Sequence, residues 1–314
     1  MARFIFRRIL ALIPVLFALA TFVFLLLKLA PGDPATAFLG DRATPESIAA
    51  LRESWGLNRP LWEQYLSFVW GAVRGDLGTS FTFHQPVTTL ILSRLPATLG
   101  LIVIAVVFTV LISVPLAMWV TTRRSALATN IVRAFNALFQ GAPQFLVATI
   151  LIAVFALNLG IFPVGGYGDT PLEQFHALIL PGIVTALGIA PIVIRSLIAS
   201  LGDAFDSDFT AFARSKGLPA LNVNRDYALR NGSIAAVSIL GVQVGFLIGG
   251  ALVVENVFAI PGVGTLLLNA VVSRDYPVVQ GLTIVFGVLV VLVALLADII
   301  YGLLDPRARA GSGA

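Results

Sequence analysis

No cysteine occurs among the 314 residues, which excludes structural disulfides, thiolate metal sites and cysteine nucleophiles together. The two histidines, His84 and His176, are too few for a His-rich metal cluster, and no H-E-x-x-H pattern occurs, so no metal is expected. Charge is scarce: 11% of residues are Asp, Glu, Lys or Arg, against roughly 25% in a soluble domain. No G-x-x-x-x-G-K-[ST] loop occurs, so this chain is not expected to hydrolyse ATP. A Ser-His-Asp hydrolase would have to recruit one of two histidines that both fall in loops. The sequence has apolar bulk instead: 58% hydrophobic residues and a mean hydropathy of +0.96. The collagen Gly period and a disordered-chain composition are both absent. An all-α integral membrane protein, not an enzyme, fits these numbers, and no nucleic-acid partner is expected.

A helix needs about 20 mostly apolar residues to cross the hydrocarbon core. Six stretches qualify: 9–29, 98–121, roughly 139–162, 177–201, 234–258 and 278–304. The third begins near Gln140, Gly141 and Pro143, where a turn can break or shift its end. The first follows Arg3, Arg7 and Arg8 but is longer than a signal-peptide core and lacks an A-x-A-like site, so it reads as an uncleaved anchor. Positive charges recur in every second connecting segment, all on one side with Arg3, Arg7 and Arg8: Arg123, Arg124 and Arg133, then Arg214, Lys216, Arg225 and Arg230, then Arg307 and Arg309. The positive-inside rule therefore puts both termini in the cytoplasm. The expected organisation is a first span (1–30), an extracytoplasmic helical loop (31–97), a five-span core (98–309) and a tail (310–314).

Two connecting segments carry helix signals. In the long outer loop, Thr44-Pro45-Glu46 reads as an N-cap, a first-turn proline and an acidic first turn, with a stop at Gly56. A second helix should start after Asn58-Arg59-Pro60, carry Leu61, Tyr65, Phe68 and Ala72 on one stripe, and end near Gly75. The pattern favours a helical cap that packs over the bundle rather than one that meets a partner or solute. On the inner side, Asp208 opens and Gly217 closes a short helix at about 208–218, too polar to span. Small residues at Ala211 and Ala213 would let a partner surface approach closely. In the fifth span Gly241, Gly245 and Gly249 recur every four residues, the spacing of a helix-packing face. From the residues alone, the chain either passes something across the membrane or scaffolds partners.

Four strings, in order, add specificity. They are Leu29-Ala30-Pro31-Gly32-Asp33-Pro34-Ala35; Gly56-Leu57-Asn58-Arg59-Pro60-Leu61 with Arg74-Gly75-Asp76-Leu77-Gly78-Thr79-Ser80; Ala211-Phe212-Ala213-Arg214-Ser215-Lys216-Gly217-Leu218 with Tyr227-Ala228-Leu229-Arg230-Asn231; and Glu255-Asn256-Val257-Phe258-Ala259-Ile260-Pro261-Gly262-Val263-Gly264 with Arg274-Asp275-Tyr276-Pro277. Across nearly its whole length the chain resembles the permease subunits of bacterial ABC importers for dipeptides, oligopeptides and nickel, in the branch like the dipeptide permease B subunit. The resemblance implies a type I importer permease with six transmembrane helices, an extracytoplasmic cap and a cytoplasmic coupling helix. It also implies a second permease chain, two ABC ATPase subunits holding ATP and Mg, an extracytoplasmic solute-binding protein, and a place in the inner membrane. No cofactor would be bound by this chain itself.

The family's E-A-A-x-x-x-G motif, aligned on Gly217, falls on Ala211, Phe212 and Ala213, so its glutamate is absent here. Peptide-type members often lack it, which leaves the docking role in place. Relatives often carry histidine where this chain has Tyr227. Ala211, Phe212, Ala213, Arg214, Lys216, Gly217 and Arg225 become the candidate ATPase-coupling residues. Short peptides are the implied cargo, with nickel or another small solute open. A gradient-driven secondary transporter would show inverted halves and buried ionisable groups, and the halves do not visibly repeat.

Overall fold

The structure, a computed structural model, describes residues 2–29, 32–40 and 43–304, with side chains undescribed at 2–9, 11, 12, 298 and 301–304. Ala30 and Pro31 of the first string, the side chains of Arg3, Arg7 and Arg8, and Arg307 and Arg309 lie outside the described residues. Among the described residues the regular secondary structure is helical, with one isolated antiparallel bridge between Thr79 and Pro86. The helices are α1 (Ala2–Leu29), α2 (Pro34–Leu39), α3 (Pro45–Ser54), α4 (Leu61–Arg74), α5 (Val87–Arg123), α6 (Ala126–Gly141), α7 (Gln144–Leu151), α8 (Pro171–Phe205), α9 (Asp208–Ser215), α10 (Ala220–Asn222), α11 (Arg230–Val257), α12 (Val263–Val272) and α13 (Tyr276–Leu304). Wider π-helical turns extend α7 over Ile152–Asn158 and join α10 to α11 over Val223–Leu229.

Among the described residues, Val87–Arg123, Pro171–Phe205, Ala220–Val257 and Tyr276–Ala297 are each long and apolar enough to span. A fifth span forms if α6 and the α7 segment, bent by 106° at their junction, act as one. The bend has a local cause. Pro143 disfavours a helical conformation at Ala142, which is extended (φ −79, ψ 129), and has no N–H to continue the ladder. The third apolar run therefore starts at Gln144 rather than near residue 139. Within α1, the stretch Ile13–Leu29, whose side chains are described, is apolar but shorter than the other spans.

Packing divides the chain into two units, Met1–Thr98 with Ile260–Val291, and Leu99–Ala259 with Leu292–Ala314. α12 and the start of α13 fall in the first unit with the N-terminal third. α5 also begins at Val87, eleven positions before the expected span, so the loop ends at residue 86.

In the first unit, Val87, Leu266, Val278 and Leu282 form the centre of an apolar core. Gly281 lies close against Val87 and Leu77, and an added Cβ would stand 2.8 Å from Val87 Cγ1. The loop before α5 is held by a buried carboxylate. Asp275 accepts the Ser80 hydroxyl, the Phe81 N–H at 3.1 Å and the Thr82 N–H at 3.0 Å. A fully buried carboxylate is costly unless its oxygens are satisfied, and here two backbone donors and a hydroxyl do so. Gly32, at φ +101, leaves no room for a Cβ beneath the Arg274 guanidinium. Asp33 caps α2 through Thr36 N at 3.0 Å. Three of the four family-like strings thus meet in joints of this unit. α12, ten residues long, was not anticipated from sequence and is too short to cross a bilayer.

In the second unit α8 is the central helix, with 72% of its most apolar window buried. Its Ala190 and Ile194 pack against Ala128 and Val132 of α6 and Val120 of α5. α11 lies closely along α8, where Gly232 abuts Leu201. Gly182 of α8 packs against Ile104 of α5 with no space for a side chain. Pro181 and Pro191 sit within α8, and Thr185 donates its hydroxyl to the Pro181 carbonyl at 2.9 Å.

Asp275→Ala removes the acceptor of three donors and is expected to cost about 3 kcal/mol. Ser80→Ala removes one bond and should cost about 1 kcal/mol. Thermal unfolding of the purified protein in detergent checks the order; equal effects would show that Asp275 does not organise the loop.

Candidate functional site

The candidate site is the short helix α9 and the elements around it, all within the second unit. Ser207 is extended (ψ 152) and breaks the chain out of α8, and Asp208 provides an acidic first turn. Gly217, at φ +72, closes the helix, with its N–H on the Arg214 carbonyl at 2.9 Å. The joint to α8 is made by two hydroxyls: Ser207 Oγ and Thr210 Oγ1 each donate to the Ala204 carbonyl at 2.6 Å. Thr210 is fully buried and Ala213, one turn on, is 1% exposed, so this face of α9 seats inside its own chain.

The opposite face is bare. Phe209 is 42% and Phe212 60% exposed, and Lys216 Nζ lies 4.5 Å from the centre of the Phe212 ring. Arg214 leans over Phe205, its guanidinium carbon 5.8 Å from that ring. Beside it opens a cleft of about 700 Å³ whose lining includes Arg123, Arg124, Arg214 and Asn224. Arg124 is ion-paired with Asp206 at the surface, where such a pair contributes little.

The expected coupling residues separate by environment. Ala211, Phe212, Arg214, Lys216 and Gly217 are exposed together on α9 and its cap. Ala213 is not available to a partner, so close approach falls to Ala211. Arg225, in the π-helical turn, is held by Asp226 through Nε at 2.7 Å and Nη2 at 3.1 Å. Ser207 and Thr210 were missed from sequence. Their spacing is that of an ordinary helix start, and only the fold shows that both reach back to α8.

The glycine stripe of α11 also divides. Gly241 is packed against Ala297 of α13, whereas Gly249 and Gly250 have open space where a side chain would begin. Among the described residues no three of His, Asp and Glu gather into a possible metal site. His84 packs edge-on to Phe38 and His176 lies beside Phe162.

Residues 113–310 match the family described as "Binding-protein-dependent transport system inner membrane component", and residues 1–102 match its N-terminal companion, "Binding-prot-dependent transport system membrane comp, N-term". A protein of Brucella abortus (strain 2308), named as a peptide transport system permease, is 36% identical over 312 residues, covering 98% of this chain and 99% of the relative. The oligopeptide transport system permease protein AppB of Bacillus subtilis (strain 168) is 34% identical over 313 residues, with 98% and 99% covered. The inward-facing MetNI methionine ABC transporter covers 69% of this chain and 96% of its own at a TM-score of 0.52; at 16% identity the likeness is one of fold. With helices of membrane-spanning length, a short exposed helix between two of them and relatives matched end to end, this chain belongs to the family of inner membrane components of binding-protein-dependent transport systems.

Proposed function

We propose that the chain is the permease subunit of an ABC importer for short peptides, and that α9 is its coupling helix. In this reading it pairs with a second permease chain and receives solute from an extracytoplasmic binding protein. ATP and Mg are held by two separate ATPase subunits. Six spans put both termini in the cytoplasm, with α1 and the bent α6–α7 pair counted as spans.

One observation carries the reading: α9 turns an aromatic face outward while its other face is fastened to the end of α8, the most buried of the candidate spans among the described residues. A coupling element needs both properties. Phe209 and Phe212 offer apolar anchors for a groove, and Arg214 and Lys216 offer charge at its rim. Arg225 already has an anionic neighbour, so it ranks below them. A push on α9 reaches α8 through the Ala204 carbonyl and through buried Thr210 and Ala213. Nucleotide-driven changes in the ATPase can then favour one arrangement of the bundle by differential contact. The bare Gly249–Gly250 face of α11 supports a place there for the second permease chain or for the solute.

The relatives named for peptides and oligopeptides support peptide cargo over nickel. Incubating the cognate binding protein with a mixture of short peptides and with Ni²⁺, and measuring what is retained, decides between them; captured nickel without peptide overturns the cargo.

Phe212→Asp places a charge where an apolar anchor is required and should lower uptake about tenfold, equivalent to about 1.4 kcal/mol, with membrane insertion unchanged. Gly217→Pro cannot adopt the positive φ and should have a similar effect. Uptake at the wild-type rate in both variants removes α9 from the coupling path.

Thr210→Val keeps the shape and deletes one hydrogen bond, worth about 1 kcal/mol. ATP hydrolysis should persist while solute moved per ATP falls, and Thr210→Ser should restore it. An unchanged ratio would show that the Ala204 joint transmits nothing.

A further inference from the structure

Helix α4 has more apolar surface than its neighbour uses. At about 100° per residue its apolar side chains cover an arc of roughly 200°. One part of that arc meets α1. Tyr65 shares a hydrogen bond of 2.7 Å with Thr21 and packs edge-on to Phe17 and Phe24, and Phe68 stacks on Phe24. Gln64 accepts a hydrogen bond from Lys28 near the end of α1. The polar edge, with Glu63, Gln64 and Ser67, turns to a cavity of about 620 Å³ that Lys28, Arg59 and His84 also line. The rest of the arc is largely exposed: Trp62, Leu66, Trp70 and Val73 form one stripe at 63%, 57%, 59% and 75% exposure.

The position along α1 identifies what covers this stripe. Phe17 lies twelve residues from Leu29, about 18 Å along the helix at 1.5 Å per residue. The hydrocarbon core is about 30 Å thick, so a helix that touches Phe17, Thr21 and Phe24 runs beside α1 at the depth of acyl chains, not above the headgroups. The neighbouring surface of α1 is of the same kind, with Phe22, Leu25 and Leu26 exposed at 64%, 52% and 48%. Two tryptophans on the stripe, one with the Arg74 guanidinium 4.4 Å from its ring centre, match the amphipathic side chains favoured at membrane interfaces.

We propose that α4 is a membrane-embedded half-helix rather than part of an aqueous cap: its Trp62–Leu66–Trp70–Val73 stripe is covered by the lipid of the leaflet into which the Leu29 end of α1 emerges. This corrects the sequence-based expectation that the whole 31–97 loop packs above the bundle. The lipid contact is independent of cargo and of coupling through α9.

The test uses the assembled importer in nanodiscs of brominated phosphatidylcholine, with single-tryptophan variants that retain Trp62, Trp70 or Trp55, the other tryptophans being replaced by Phe. Trp55 stacks on Phe81 at 3.8 Å and serves as the internal reference. Emission from Trp62 and Trp70 should fall roughly twofold relative to non-brominated lipid, with Trp55 much less affected, as expected for side chains at an interface. Quenching no stronger than that of Trp55 overturns the proposal. Blue-shifted emission would then mean that the second permease chain covers the stripe, and red-shifted emission that water does. If the variants do not assemble, a lipid-borne diazirine applied to the unaltered complex decides: adducts within residues 61–74 support the contact, and their absence overturns it.

Discussion

In hydrocarbon no water is available to take up a stray N–H or C=O, so every interruption of a helix must be closed by the chain itself. That constraint organises this structure. Where α8 ends, two hydroxyls close on the Ala204 carbonyl. Where the chain enters α5, a buried carboxylate gathers the free N–H groups of Phe81 and Thr82. At the start of α12, the Val263 N–H finds Thr98 Oγ1 at 2.9 Å. After α11, the Phe258 carbonyl accepts from Gly166 N at 2.9 Å. The family-like strings are dense in Gly, Asp, Ser and Thr because those residues make the joints between apolar helices, and much of what looks like a signature is joinery.

The fold was legible in proportion to how local its causes are. Thr44 and Pro45 begin α3 as their chemistry requires, with Thr44 accepting from Ser47 N and Ser47 closing a reciprocal capping box. Pro60 and Gly75 bound α4 and Gly217 closes α9, because caps and positive φ act within one turn, whereas the N-cap of α9 is Ser207 and not an aspartate. Hydropathy placed most of the spans for the same reason. Non-local features left no comparable trace. The two π-helical turns have no residue pattern of their own, and the short α12 is set by its burial against Val87 and Leu282 rather than by periodicity.

Glycines show the difference well. The four-residue repeat in α11 draws the eye, yet within it Gly241 is pressed against Ala297 while Gly249 is open, and Gly182, Gly232 and Gly281, outside the repeat, are close-packed too. Small residues mark possible contact, and only the partner helix decides which contact is made. At the site, the outward residues Phe212, Arg214 and Lys216 were readable from family likeness and charge. The inward face was not, since nothing about Ala213 or Thr210 announces that α8 and the turn after α10 close over them.

The prolines of α8 have a mechanical consequence. Pro181 and Pro191 remove two rungs from the ladder of a 35-residue helix that has α9 fixed at one end. A rod with missing rungs is stiff in compression but compliant to flexure at those points. Pro191 lies three residues before Ile194, which packs into the α5–α6 layer, so under the proposed coupling role a load at Ala204 would meet this compliant point well before the far end at Thr170. In that role the reach of any bending would be set by where the imino acids fall, so by backbone chemistry.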